Sequence, residues 1–302
     1  MKIFLTGATG YIGSVVAEKL KQKGHSVLAL ARSENAVEKL RERGYEALKG
    51  ALEDTITLSQ GADQADGVIH LAQMRFDPDK SFMSQMKTSS ELQLTSVNAM
   101  IKGLGYTKKP FIITGGTGAY RDTGRHVVNE DTPVKAPPII KGLAQAETNV
   151  LTSNDIRGMA IRPGIVFGRN AGPVMQVLEK SKSRGFVEMT SKGNNLLSLV
   201  HVEDVADLYL LMLKKAEAGT LLNAVAEPFL SQREILEAIS QTLGFEGKVK
   251  QKSMLMQTAN MLMGKGSYNI FGNNMQVSSE RARKLGWKAR PATSLFEELN
   301  RT

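Results

Sequence analysis

Through the first half of the chain, short apolar runs alternate with longer segments whose apolar residues recur every three or four positions. "KIFLT", "SVLALAR", "EALKG", "GVIHLA" and "FIITGG" have the length and near-continuous apolar character of strands buried on both faces. Between the first two, "YIGSVVAEKLKQKG" places Ile12, Val15, Val16 and Leu20 at helical spacing, with Gly24 as a stop. "DPDKSFMSQMKTSSELQLTSVNAMIKGLG" predicts one long helix from Asp77 or shortly after, and "GMAIRPGIVFG" (158–168) predicts one further strand. Strands alternating with helices imply right-handed crossovers, so the expected fold is α/β, a doubly wound parallel sheet covered on both faces. After Gly168 the pattern loosens into helices at Pro173–Arg184, Glu203–Lys215 and Ser231–Leu243, separated by short apolar runs. Two patches reading "MLM", at 254–256 and 261–263, fit flexible core packing, with a lid over an apolar ligand as the second reading.

Charge and composition narrow the partners. The net charge of +9, from 39 basic and 30 acidic side chains, suits nucleic acid or an anionic cofactor. The densest basic stretch, "RARKLGWKAR", reads as a solvated helix end and no nucleic-acid motif accompanies it, so the cofactor is preferred. There is no cysteine, which excludes disulfides, thiolate metal sites and a cysteine nucleophile. The four histidines have no metal-ligand spacing, and neither His-Glu-x-x-His nor Gly-x-Ser-x-Gly occurs. The apolar run in "MKIFLTG" is too short for a signal peptide or a membrane span, so a cytoplasmic protein without membrane contact is expected.

"TGATGYIG" (Thr6 to Gly13) follows a predicted strand and opens a predicted helix. In that context Gly7 permits a tight turn, Gly10 lets backbone approach a pyrophosphate, and Gly13 lets the helix pack closely. Thr9, Tyr11 and Ile12 of the same loop join them as cofactor contacts, since a helix start offers free N–H groups to a diphosphate. A site for NAD usually carries Asp or Glu at the end of the second strand, whereas Arg32 and Ser33 stand there in "LARSEN". A guanidinium can fork onto a 2′-phosphate, which favours NADP; the nearby Glu34 leaves NAD open.

With these motifs the chain resembles the extended short-chain dehydrogenase/reductase family, its NAD-dependent epimerase/dehydratase group, over nearly its whole length. "GVIHLA" resembles that family's fourth strand, "FIITGGTGAY" its fifth strand and following loop, "IRPGIVFG" its Arg-Pro segment, "SLVHVEDVADLYLLML" its lobe-helix start and "ARKLGWKAR" its C-terminal signature. The resemblance implies a Rossmann NAD(P)-binding domain at 1–168 and a smaller α/β substrate lobe mainly at 169–302, with some segments returning to the first domain. It also implies that Asp54 lies near the adenine and that Leu71, Ala72, Thr114, Gly115 and Pro163 line the cofactor. The partner implied is a small molecule, and a homodimer is left open.

The chain departs from the family at its catalytic set, a Ser or Thr after the fifth strand followed by Tyr-x-x-x-Lys. Glu147 fits the Glu often found four residues after that Lys; counting back gives Leu143 for Lys and Ile139 for Tyr, and Gly116 holds the serine position. No Tyr-x-x-x-Lys occurs after the fifth predicted strand, so the chain is most similar to the family's atypical branches. Losing general acid–base help costs roughly 10²–10⁴ in rate. Thr117 and Tyr120, in the loop after the fifth strand, are the substitute donors expected, the tyrosine with its pKa lowered from about 10 by positive charge and cofactor ribose. Lys141 lies roughly 200° around a helix from Leu143 and is expected to face away. His126, Arg121 and His201 are further polar candidates, His201 reading as a packed, hydrogen-bonded residue. Ile139, Ile140 and Leu143 make an apolar face that suits an apolar or aromatic carbonyl or alcohol better than a hexose. Two functions fit: an NADP-dependent oxidoreductase or epimerase-like enzyme, favoured by the intact substrate-lobe motifs, and an NADP(H)-binding sensor without turnover.

Overall fold

Strand β1 (Lys2–Thr6) alternates its side chains between two cores: Ile3 and Leu5 on one face, Phe4 on the other, all fully buried. This is why the early strands read as continuous apolar runs. In the computed structural model, which describes residues 1–77, 79–134, 138–189, 192–245, 249–251 and 271–302, β1 lies inside a seven-stranded parallel sheet. The others are β2 (Ser26–Ala31), β3 (Glu46–Lys49), β4 (Gly67–His70), β5 (Pro110–Thr114), β6 (Arg157–Pro163) and β10 (Thr220–Ala224), in the order β3-β2-β1-β4-β5-β6-β10. The methionine patches at 254–256 and 261–263 lie outside the described residues.

Crossover helices cover both faces. Residues of α1 (Tyr11–Gln22) and α7 (Val202–Lys215) pack with Ile3 and Leu5; those of α3 (Thr55–Asp63), α4 (Phe82–Leu104) and α5 (Lys141–Thr152) pack with Phe4 and Val68. Helix α2 (Glu34–Glu42) covers the β2–β3 end. A third core joins α6 (Pro173–Arg184), α8 (Gln232–Thr242) and a C-terminal helix, Ser294–Asn300, to a small sheet of β7 (Ile165–Phe167), β9 (Leu196–His201) and β11 (Ala226–Ser231). Beside it β8 (Val187–Met189) pairs with β12 (Val249–Gln251). The fold is thus a Rossmann-type parallel α/β sheet with additional C-terminal helical and strand elements.

Two boundaries differ from the sequence pattern. The single strand expected over 158–168 is two strands, β6 and β7, in different sheets. Pro163 has no N–H to continue the ladder, and Gly164 is pressed against strand β9: a Cβ there would stand 2.4 Å from the Ser198 carbonyl oxygen. Helix α4 starts at Phe82 rather than near Asp77, because Gln85 folds Asp77 back onto the first turn, accepting its N–H at 2.6 Å and donating to its carbonyl at 2.9 Å.

Candidate active site

The chain leaves β1 for β2 and β3 on one side, then returns to place β4 on the other. A crevice forms at the C-terminal ends of strands where the order reverses in this way. The turn after β1 sits in it. Gly7 has φ +80°, and a Cβ would lie 2.8 Å from the Ala72 nitrogen after β4. At Gly13 a Cβ would lie 2.0 Å from the Gly7 carbonyl oxygen, so only glycine lets α1 start this close to the turn. Gly10 is the N-cap of α1 and supplies no side-chain cap, and the first turn holds no acidic residue. The free N–H groups and the positive helix end therefore face the crevice, which fits a diphosphate.

Over this turn opens a cavity of about 1820 Å³. A pocket for a single drug-sized ligand measures roughly 300–1,000 Å³, so the space suits a dinucleotide together with a second molecule. All the sequence-predicted contacts line it except Asp54 and Tyr120. Asp54 instead caps α3, accepting the Thr57 N–H at 3.0 Å and the Thr57 hydroxyl at 2.5 Å; these bonds hold its carboxyl below the usual range, and its neighbours Leu52 and Glu53 face the cavity. Ser33 lines the cavity while capping α2 by accepting the Ala36 N–H at 3.3 Å. Arg32 has no ion pair or side-chain hydrogen bond among the described residues. Glu34 is outside the lining and is paired with Lys49, whose hydrogen bond and charge hold its carboxyl low.

At the other end the lining is apolar. Ile139 and Ile140 lie in a one-turn 3₁₀ helix, Pro138–Ile140, and Leu143 follows in α5. The Leu143 N–H donates to Ser90 Oγ at 3.1 Å, and a Cβ on Gly142 would lie 2.3 Å from the Ser90 carbonyl oxygen, so this wall is pinned to α4. Lys141 opens α5, is exposed and stays out of the cavity; His126 is exposed in its loop. Gly116 caps a second 3₁₀ turn, Thr117–Tyr120. Thr117 is buried in the lining, and among the described residues its hydroxyl meets only the Met275 sulfur, at 3.6 Å.

Tyr120 turns away from the cavity. Its hydroxyl donates to Asn223 Oδ1 at 3.0 Å, and the Arg162 guanidinium lies 5.0 Å from its ring centre. The lowered pKa expected from positive charge is corrected here: burial raises it, and the opposing effect of Arg162 is smaller. Arg162 is itself committed to Glu147, through Nε to Oε2 at 3.0 Å and a second contact to Oε1, both groups being nearly buried. A Cβ on Gly115 would lie 2.8 Å from Glu147 Oε2, so a side chain there would shift this carboxylate.

A closed hydrogen-bond ring beneath the cavity was missed by sequence reasoning. The Ala72 N–H donates to Thr6 Oγ1 (3.2 Å), and Thr6 Oγ1 meets His70 Nδ1 (2.7 Å). His70 Nε2 meets Gln93 Oε1 (2.8 Å), and Gln93 Nε2 returns to the Ala72 carbonyl (2.8 Å). With the Gln93 amide donating to Ala72, Oε1 accepts from His70, so His70 is neutral with its proton on Nε2 and accepts from Thr6. Full burial pushes its pKa down to about 4. The available signal was a polar stripe, Gln85, Ser89, Gln93 and Ser96, at helical spacing inside α4. His201 is packed: it caps α7 through Nδ1, accepting the Glu203 N–H at 3.1 Å, and sits edge-on to Phe167. Among the described residues no cluster of three or more His, Cys, Asp or Glu is placed to hold a metal, and no helix is long and apolar enough to cross a membrane.

Comparison with known proteins bears on this site. The profile of the NAD dependent epimerase/dehydratase family matches residues 3–224. An uncharacterized protein of Schizosaccharomyces pombe is 32% identical over 299 residues, 98% of each chain. The 4-hydroxy-2-methyl-3-oxo-4-farnesyl-3,4-dihydroquinoline-1-oxide ketoreductase of Stigmatella aurantiaca is 26% identical over 255 residues, 82% of this chain and 75% of that one. The human epimerase family protein SDR39U1, solved with NADPH, superposes with a TM-score of 0.78 at 18% identity, over 100% of this chain and 98% of that one.

Proposed function

The chain belongs to the NAD dependent epimerase/dehydratase family, and from that premise we propose that it is an NADPH-dependent reductase of an apolar carbonyl compound, working without the family's tyrosine and lysine. One observation carries the reading: a single cavity has an uncommitted guanidinium, Arg32, at one end, and Ile139, Ile140 and Leu143 where the polar dyad belongs. When bound, NADPH supplies a hydride. The Gly7–Gly13 turn and the α1 N–H groups hold its diphosphate, and Arg32 its 2′-phosphate. Ile139, Ile140 and Leu143 exclude water and orient an apolar substrate. The Thr117 hydroxyl, weakly held by Met275 sulfur, hydrogen-bonds the carbonyl oxygen and relays a proton from water. The Stigmatella relative is named for a ketone bearing a farnesyl chain, which is consistent with such a wall.

The missing dyad favours one rival, an NADP(H)-binding protein without turnover. Both readings need the same cofactor, so cofactor choice is tested first. Fluorescence titration of NADPH and NADH is expected to give about tenfold or greater preference for NADPH, lost in Arg32→Ala. Equal affinities, or an unchanged preference in the variant, would remove the basis for NADP.

A further inference from the structure

The cavity lining carries four arginines, at 32, 75, 121 and 162, and four carboxylates, at 53, 130, 131 and 147, but they are not all paired with one another. Glu147 is taken by Arg162, and Asp131 by Arg281 at 2.5 Å; Glu130 accepts the Asn223 N–H at 2.8 Å and lies 3.8 Å from Arg281. Arg75 and Arg121 line the same cavity, and neither has an ion pair or side-chain hydrogen bond among the described residues. Asp77, the carboxylate nearest Arg75 in sequence, is turned to Lys80 at 3.7 Å. Two exposed guanidinium groups of the lining thus have no side-chain partner among the described residues.

Their settings are specific. Arg75 stands between Met74 and Phe76, which also line the cavity, and Phe76 packs edge-to-face on Phe82 at the start of α4, with ring centres 5.5 Å apart. Arg121 ends the Thr117–Tyr120 turn with φ +62°, a conformation that a residue with a Cβ adopts at a cost. The turn is anchored from behind by Tyr120, through Asn223 and Arg162, so the strained residue is held at the cavity. A neutral apolar ligand leaves these two exposed guanidinium groups to water alone, and a nucleotide sugar gives the apolar wall no partner. A ligand with an apolar body and a carboxylate satisfies both.

We infer that Arg75 and Arg121 bind a carboxylate, so that the substrate is an apolar oxo acid rather than a neutral ketone; this rests on the reductase reading above. The reaction consumes the oxo acid, NADPH and one proton and yields the hydroxy acid and NADP⁺, with the carboxylate unchanged.

Calorimetry on the NADP⁺-loaded protein tests the carboxylate site without turnover, using 4-phenylbutyrate and its amide as probes. The acid is expected to bind about tenfold or more tightly than the amide. Arg75→Gln and Arg121→Gly should each reduce that advantage and the double variant abolish it, with NADPH affinity unchanged. Arg121→Gly relieves the positive φ, so loss of binding in it is not misfolding. Equal binding of the two probes, no binding of either, an advantage surviving both substitutions, or weakened NADPH binding instead would each overturn the inference. A parallel assay of NADPH consumption separates it from the reductase reading. Turnover of 4-oxo-4-phenylbutanoate but not its methyl ester supports both. Equal or faster turnover of the ester keeps the reductase and overturns the carboxylate site. Tighter binding of the acid with no NADPH consumption by either compound keeps the site and overturns the reductase.

Discussion

Tyr120 and Thr117 are three residues apart in one 3₁₀ turn and have opposite surroundings. The tyrosine hydroxyl is spent on Asn223 behind the turn, while the threonine hydroxyl has, among the described residues, only a sulfur partner inside the cavity. Thr117→Val is expected to lower kcat by roughly 10²-fold at unchanged NADPH affinity. Tyr120→Phe keeps the ring under Arg162 but leaves Asn223 Oδ1 short of a donor. It should cost about 1–3 kcal/mol of stability and change kcat only by the small amount that follows from a looser turn. Steady-state rates with any NADPH-consuming ketone, and urea midpoints for both variants, check this. A large kcat loss in Tyr120→Phe with stability intact would restore the tyrosine as proton donor. Nothing local separates these residues: Asn223 is a hundred residues downstream on β10, so the sequence offered both as donors.

At the scale of elements, the ring through Thr6, His70 and Gln93 ties the end of β1, the end of β4 and the middle of α4 to the Ala72 backbone, which touches Gly7. The ring works only while His70 Nδ1 accepts, that is, while the imidazole is neutral. In the folded protein its pKa is about 4, against an ordinary value of 6.5. Between those values the unfolded chain binds a proton that the folded one does not. Stability from this source is therefore complete above about pH 6.5 and is lost as pH falls toward about 4, by about 3 kcal/mol in all. His25 and His201, both held low chiefly by burial, act in the same direction. The His70 share is the difference between wild type and His70→Asn in urea unfolding across that range, and identical pH slopes would refute the ring's role. Periodicity predicted α4 as a long helix but not that its buried stripe would be polar, because the partners of Gln93, His70 and the Ala72 carbonyl, come from the end of β4 and the turn after it. The glycine turn, by contrast, was legible because Gly10 and Gly13 act on the Gly7 backbone within seven residues.

For the whole molecule, alternation of strand and helix was enough to predict the doubly wound sheet, and the cavity follows from where its strand order reverses. What spacing did not convey is how the polar groups around that cavity are paired off. Glu34 goes to Lys49, Glu147 to Arg162 and Asp131 to Arg281, and each pairing depends on contacts set only by the folded chain. Among the described residues the pairings leave Arg32, Arg75 and Arg121, and the carboxylate of Glu53, uncommitted, and the dyad positions are apolar. A cavity of this kind should reject hexoses and accept apolar carbonyls. The direct test is one assay of NADPH consumption and product formation, run in parallel on aryl and alkyl ketones and oxo acids and on a panel of nucleotide sugars. The account predicts NADPH consumption matched by alcohol or hydroxy acid with at least one apolar carbonyl and no new product from any nucleotide sugar. Rapid epimerisation or dehydration of a nucleotide sugar, with the apolar carbonyls inert, would contradict it.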